Sequence, residues 1–393
     1  MSYLSTASSP VQSLYVHVPF CAAKCEYCAF FSEPSSGEQM NRFVAALIRE
    51  MELVASSLKP RTIFFGGGTP SLLSMAQWRR VLEAMERLCL LGADEWTVEC
   101  NPATVSAEKA RLLREHGVNR ISMGVQSLDE GLLDRLGRIH SREMVFKSFD
   151  RLRAAGFDNI NLDLMFAIPG QTMAIWKATM AEAIAMGSEH LSCYEVIYEE
   201  DTPLYEQLKA GEFDVDEAVA CAMYDELIDT ADAVGFVQYE VANFARHAGD
   251  PVDELPSGAC QHNINYWRGG ACQALGPSAT GYVDGRRIRN IANTERYCGQ
   301  LALGQRAHES VEQLSPLASA GETAAFGLRM NTGWPFRLFE QTTGFDLRAG
   351  WAGDMQRVVD SNWGVCTDER FHLTRQGMRY ADSVAEWFIR PEA

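Results

Sequence analysis

Six short segments rich in β-branched and aromatic residues, each followed by a helix-periodic segment, fill the first 240 residues and constrain the fold most. Ser13–Val18, Arg61–Phe65, Glu95–Cys100, Arg120–Val125, Asn159–Phe166 and His190–Ile197 read as strands. Helices are expected over about 40–54, 74–90, 106–116, 143–155, 173–186 and 216–234. Ser74 and Gln77 make a capping-box start for the second of these. Strands alternating with helices predict parallel βα units joined by right-handed crossovers. A β/α barrel and a doubly wound open sheet both satisfy that pattern. The Gly-rich and polar motifs fall at the C-terminal ends of the strands, where a barrel places its chemistry.

After residue 240 the rhythm changes. Residues 245–290 are rich in Gly, Asn, Arg and Pro, and 305–393 read as mostly helical. The ending, a strand or hairpin in VCTDERFHLT and then a helix over Arg375–Phe388, has a winged-helix-like pattern. The expected organisation is a core at 11–240, a connecting segment at 241–305 and a C-terminal module at 306–393. The apolar share of 47% is too high for a disordered chain. With 35 Lys+Arg against 52 Asp+Glu the formal charge is −17, which argues against a general nucleic-acid or anionic-lipid binder.

The chain has 11 cysteines, an odd number. The N-terminal MSYLSTASSPVQS lacks a secretory pattern, and no apolar run reaches the roughly 18 residues of a spanning helix. A cytoplasmic chain with reduced thiols is therefore expected, and clustered cysteines there suggest metal binding or catalysis. Cys21, Cys25 and Cys28 cluster with spacing C-x3-C-x2-C directly after the first strand. Three thiolates on one loop suit three irons of a [4Fe–4S] cluster and leave the fourth iron open. A structural zinc with His17 as fourth ligand is the alternative, though its usual spacing is two Cys pairs or Cys₂His₂. The other eight cysteines are scattered and read as small buried hydrophobes.

With Tyr27 as the aromatic before Cys28, this loop resembles the signature of the radical S-adenosylmethionine (SAM) superfamily. The resemblance implies a partial (β/α)6 barrel, a [4Fe–4S] cluster and SAM bound at its open iron. It also implies SAM contacts at Tyr15, at Gly67, Gly68 and Thr69 of the GGGTP motif, and at Glu99, Gln126, Arg138 and Asp163. In order, these match the branch that contains oxygen-independent coproporphyrinogen III oxidase. Two departures count against that oxidase: only 20 residues precede Cys21, and Phe30 stands where the oxidase loop has a fourth Cys.

His262-Asn263-Ile264-Asn265-Tyr266-Trp267 matches the H-N-x-x-Y-W motif of the haem chaperone family of the HemW type. A neutral imidazole is a good axial ligand for haem iron, and Tyr266 and Trp267 offer flat apolar surface. On residue type alone the motif reads equally as a structural corner. The resemblance implies haem as cargo, bound through His262, Tyr266 and Trp267, and a haem-accepting protein, such as a respiratory enzyme, as partner. It implies no coproporphyrinogen oxidase activity. Docking to a membrane would be peripheral, and a homodimer is compatible with the sequence. Thr280 stands where the family pattern carries a His.

Overall fold

The computed structural model describes residues 10–34, 36–247 and 255–391. Most of the N-terminal stretch on which the absence of a leader was read, residues 1–9, lies outside them. The six expected strands form as β1 (Val11–Val18), β2 (Leu58–Gly67), β3 (Glu95–Cys100), β4 (Arg120–Gln126), β5 (Ile160–Phe166) and β6 (His190–Glu195). They pair in parallel and in sequence order. A doubly wound sheet reverses strand order at a switch point. No reversal occurs among β1–β6, so the barrel-type winding is the one adopted.

Period-two alternation explains the layers. Leu14, Val16, Ile63, Phe65, Trp96, Val98, Ile121 and Met123 face outward and are buried under the helices. Burying each such side chain contributes roughly 1.5–3 kcal/mol. The inward positions are polar yet also buried: Ser13, Thr62, Thr97, Arg120, Ser122, Asn161, His190 and Ser192. The Ser74–Gln77 capping box forms, and the helix runs Met75–Arg87.

The sheet continues past residue 240. β8 (Asn243–Arg246) pairs antiparallel with β6, β7 (Phe236–Glu240) pairs antiparallel with β8, and β9 (Gln273–Leu275) adds a parallel strand on β1. The result is nine strands in the order β7-β8-β6-β5-β4-β3-β2-β1-β9. The expected connecting segment is thus fastened to the barrel rather than strung between two bodies. Glu50 of helix Gly37–Val54 fixes it further, accepting from Gly276 N, Asn290 Nδ2 and Tyr297 Oη.

β10 (Thr280–Val283), β11 (Arg286–Asn290) and β12 (His308–Gln313) form a separate antiparallel sheet, with Thr280 exposed on its first strand. Beyond it, β13 (Trp334–Pro335), β14 (Gly364–Cys366) and β15 (Arg370–Leu373) join short helices around a second core of Trp334, Phe339, Trp351, Phe371 and Phe388. The expected final helix is two, Arg375–Met378 and Ala381–Phe388. Tyr380 lies between them and stacks its ring on Trp363 at 4.5 Å. Arg375 and Arg379 pair with Asp225 and Asp229 on helix Glu217–Ala233, docking this module onto the barrel.

Candidate functional site

The cysteine loop leaves β1 at Pro19 and returns beside it. Glu33 N donates to Pro19 O (2.7 Å) and Cys21 N to Glu33 O (3.2 Å). Its tip is gripped from both sides, by Glu26 N donating to Leu136 O (3.1 Å) and Leu204 N donating to Glu26 O (2.9 Å). Tyr27 packs against Leu132, Leu136, Met165 and Leu204. Two short helices supply this grip, Glu130–Arg135 and Pro203–Lys209. Neither is among the helices expected from the sequence. Their signals were present: Asp129 caps the first, and Thr202 followed by Pro203 starts the second.

All three loop thiols are free and half-buried. They line one cavity of about 450 Å³ at the C-terminal ends of the strands, together with Gly67, Gly68, Thr69, Glu99, Gln126, Arg138 and Asp163. Among the described residues no three His, Cys, Asp or Glu side chains converge as a single metal ion requires. His17 is also committed elsewhere: Nδ1 pairs with Tyr15 Oη (3.0 Å) and Nε2 with Phe31 O (2.9 Å). The one-zinc arrangement with His17 therefore does not fit. A four-iron cluster places each thiolate on its own iron and needs no such convergence. Arg138 supports that fit. Its Nη1 lies 3.4 Å from Cys25 Sγ, its Nη2 donates to Gly124 O (2.6 Å), and its buried Nε has no partner among the described residues.

The glycines of GGGTP are required by close approach. Gly67 has φ +101°, and a Cβ there would lie 2.4 Å from the His17 ring. A Cβ on Gly68 would meet Phe20 O at 2.7 Å. The Gly67 N–H donates to Glu99 Oε2 (3.1 Å). Gln126 ends β4 at φ +66°, a left-handed conformation uncommon outside glycine, next to a register shift. Burial and the nearby Asp163 charge push the Glu99 carboxyl up to about 8. Burial pushes Asp163 up to about 6 despite hydrogen bonds from Asn161 and Ser122. Tyr15 lies just below, its hydroxyl kept protonated by burial and by Glu99.

The HNxxYW motif lies elsewhere. It forms helix Gln261–Trp267, at the N-terminal ends of the strands. The Cys260 side chain caps nothing, and Glu95 of β3 takes that part, accepting from Gln261 N and His262 N (both 2.9 Å). His262 is buried inside the barrel floor. Its Nδ1 meets the hydroxyls of Ser13 (3.1 Å) and Thr62 (3.2 Å), and its ring lies 5.3 Å from Phe64. Burial, reinforced by Arg120, lowers its pKa to about 4. Trp267 is buried against Tyr239, whereas Tyr266 is half exposed against Phe326. The cavity residues thus come together around the cysteine loop, while His262, Tyr266 and Trp267 present no common face.

The floor residues that the sequence gives no motif for are Glu95, Arg120, Asn161 and His190; Tyr239 lies in Gln238-Tyr239-Glu240, a segment that resembles the family. The only signal of the first four is polarity at inward strand positions.

Residues 15–183 match the model of the radical SAM superfamily. The chain is 31% identical over 385 residues to the heme chaperone HemW of Bacillus subtilis (strain 168), covering 96% of this chain and 99% of that one. It is 35% identical over 288 residues to the heme chaperone HemW of Escherichia coli (strain K12), covering 71% and 73%. Among solved structures, coproporphyrinogen III oxidase (HemN) from Escherichia coli superposes with a TM-score of 0.82 at 20% identity, covering 97% of this chain and 90% of that one. That last likeness shows the fold. The end-to-end similarity to the chaperones shows more: the chain belongs to the HemW family of heme chaperones within the radical SAM superfamily.

Proposed function

We propose that this chain binds a [4Fe–4S] cluster through Cys21, Cys25 and Cys28, binds SAM beside it, and carries haem to an acceptor protein. The observation that carries this reading is the convergence of the three free thiols and the strand-end polar groups on one cavity, in a chain of the HemW family. When bound, such a cluster supplies the electron for reductive cleavage of SAM. The protein's part is to hold and orient. Arg138 places positive charge beside the Cys25 thiol, the backbone of Gly67–Thr69 offers close approach, and Glu99 and Asp163 offer acceptors inside the cavity.

Haem is proposed as cargo, with His262, Tyr266 and Trp267 as its contacts. For His262 to ligate iron, helix Gln261–Trp267 must leave the barrel floor, since the imidazole is enclosed there. The acceptor is proposed to be a respiratory enzyme, reached from the cytoplasm through protein contact. No helix among the described residues is long and apolar enough to cross a membrane.

The test is anaerobic reconstitution of the full chain. Iron and sulfide near about four each per chain are expected, with SAM raising thermal stability and haem binding visible by absorbance. Coproporphyrinogen III, supplied with SAM and reductant, should not be decarboxylated. Robust decarboxylation, or failure to bind haem, overturns the reading.

A further inference from the structure

Between the cavity and helix Gln261–Trp267 the barrel interior contains a line of buried polar side chains that the proposed function does not use. Each hydrogen bond along it has one direction. The Cys260 N–H donates to Tyr239 Oη (3.1 Å). The single phenolic proton is then free to point at His190 Nε2, 2.7 Å away. With Nε2 accepting, the neutral ring carries its proton on Nδ1 and donates to Asn161 Oδ1 (2.6 Å). The Asn161 amide is oriented independently. Its Nδ2 donates to Ser122 Oγ and Asp163 Oδ1 (both 2.7 Å), while the single Ser192 hydroxyl proton is shared between Oδ1 (3.1 Å) and the nearer Asn243 Oδ1 (2.9 Å).

The chain of bonds therefore runs from the N-terminus of the HNxxYW helix to a carboxylate in the cavity, with no ambiguous link. Burial, reinforced by Arg120, keeps His190 neutral as this assignment requires. Tyr239, His190 and Asn161 are each 1% exposed or less, so water does not compete for the intermediate links, whereas Ser122 and Asp163 line the cavity. A purely structural core would also be satisfied, but it would have no need to end on an acceptor in a ligand cavity. Buried networks of this kind act as a unit because each bond polarises the next.

We propose that His190 and Tyr239 are positioning residues that couple helix Gln261–Trp267 to the orientation of the Asp163 carboxylate, so that occupancy at one end of the barrel changes affinity at the other. The coupling rests on the reading that the cavity binds SAM, and by linkage it acts equally in both directions.

The experiment is hydrogen–deuterium exchange of the cluster-loaded full chain with and without saturating SAM. In the wild type, SAM should slow exchange of amides 260–267 by about fivefold or more. Tyr239→Phe keeps the ring and deletes the hydroxyl, so the slowing should fall below about twofold while SAM still binds. His190→Gln, which can accept and donate across the same gap, should restore part of what His190→Leu loses. Full slowing in Tyr239→Phe, or none in a SAM-saturated wild type, overturns the coupling. A second arm needs no ligand. In the cofactor-free chain, Asp163→Ala should speed exchange at 260–267 by about fivefold, and unchanged exchange overturns the coupling. Should the wild type bind no SAM, that result counts against the proposed function, and the ligand-free arm still decides the coupling.

Discussion

Glu99 at the mouth of the barrel accepts one backbone N–H, from Gly67, and faces a cavity that also holds Asp163. Glu95, four residues earlier on β3 and so on the same inward face, accepts from the Cys260 thiol and two backbone amides. Glu50, outside the sheet, accepts from three donors. Identical chemistry is treated differently at the two levels. A buried carboxylate whose acceptors are filled by the protein fixes structure, because removing it orphans its donors. One left with spare acceptors and a second carboxylate nearby is poised for something that is not protein. The comparison assigns structure to the floor and ligand chemistry to the mouth.

The sharpest break between the two is Cys25→Ala. The loop thiol is half-buried and its side-chain hydrogen bond among the described residues is the one from Arg138, so the cofactor-free variant should keep its melting temperature, yet reconstituted iron and sulfide should fall close to zero. Full iron content in that variant would remove the mouth's assignment. Glu50→Ala should do the reverse. It leaves Gly276 N and Tyr297 Oη without acceptors, while Asn290 Nδ2 keeps Gly276 O, so urea denaturation should show a loss of roughly 3 kcal/mol, with cluster content per folded chain unchanged.

His262→Ala should cost about 2 kcal/mol, measured the same way, because it opens the floor beneath Ser13, Thr62 and Phe64. Weakened haem binding in that variant is interpretable only against this loss. Titration of Glu99 gives a smaller, pH-dependent effect. Its carboxyl titrates near 4.5 when unfolded and near 8 when folded. Below pH about 4.5 both states hold the proton. As pH rises through about 8 the folded state must ionise at a cost, so the Glu99 contribution to stability is lost across that window. Glu99→Gln removes this titration, so its melting temperature relative to wild type should climb between pH about 5 and 8.5. A flat difference would place Glu99 among the satisfied carboxylates. Least disruptive is Tyr266→Ala, at a half-exposed ring, which should cost roughly 0.5 kcal/mol or less. Haem affinity that falls in this variant would implicate the motif without disturbing the floor.

Much of the mouth was legible in the chain. Cys21, Cys25 and Cys28 are neighbours in sequence, so their shared loop needs no tertiary argument. Gly67, Glu99, Gln126 and Asp163 each end or lie in a parallel strand, and parallel strands in a barrel bring those ends together. The floor was not legible. Glu95 to His262 spans 167 residues, and nothing local distinguishes a carboxylate that caps a distant helix from one that meets solvent. The helices at Glu130–Arg135 and Pro203–Lys209 were passed over because six or seven residues show too little periodicity, although both caps were present. The core boundary expected at residue 240 missed β8 and β9, since strands of three or four residues are held by edge pairing rather than by their own pattern.

The sequence by itself determined the six βα units, the cysteine loop and the set of polar residues at the strand ends, because periodicity and spacing are local properties. Tertiary structure alone decided that His262 is enclosed, that Glu95 rather than a local side chain caps its helix, and that Asn161, His190 and Tyr239 link that helix to Asp163. Those outcomes depend on which strands lie side by side. Burial then favours pairing along that line, since each unpaired donor carries a desolvation cost.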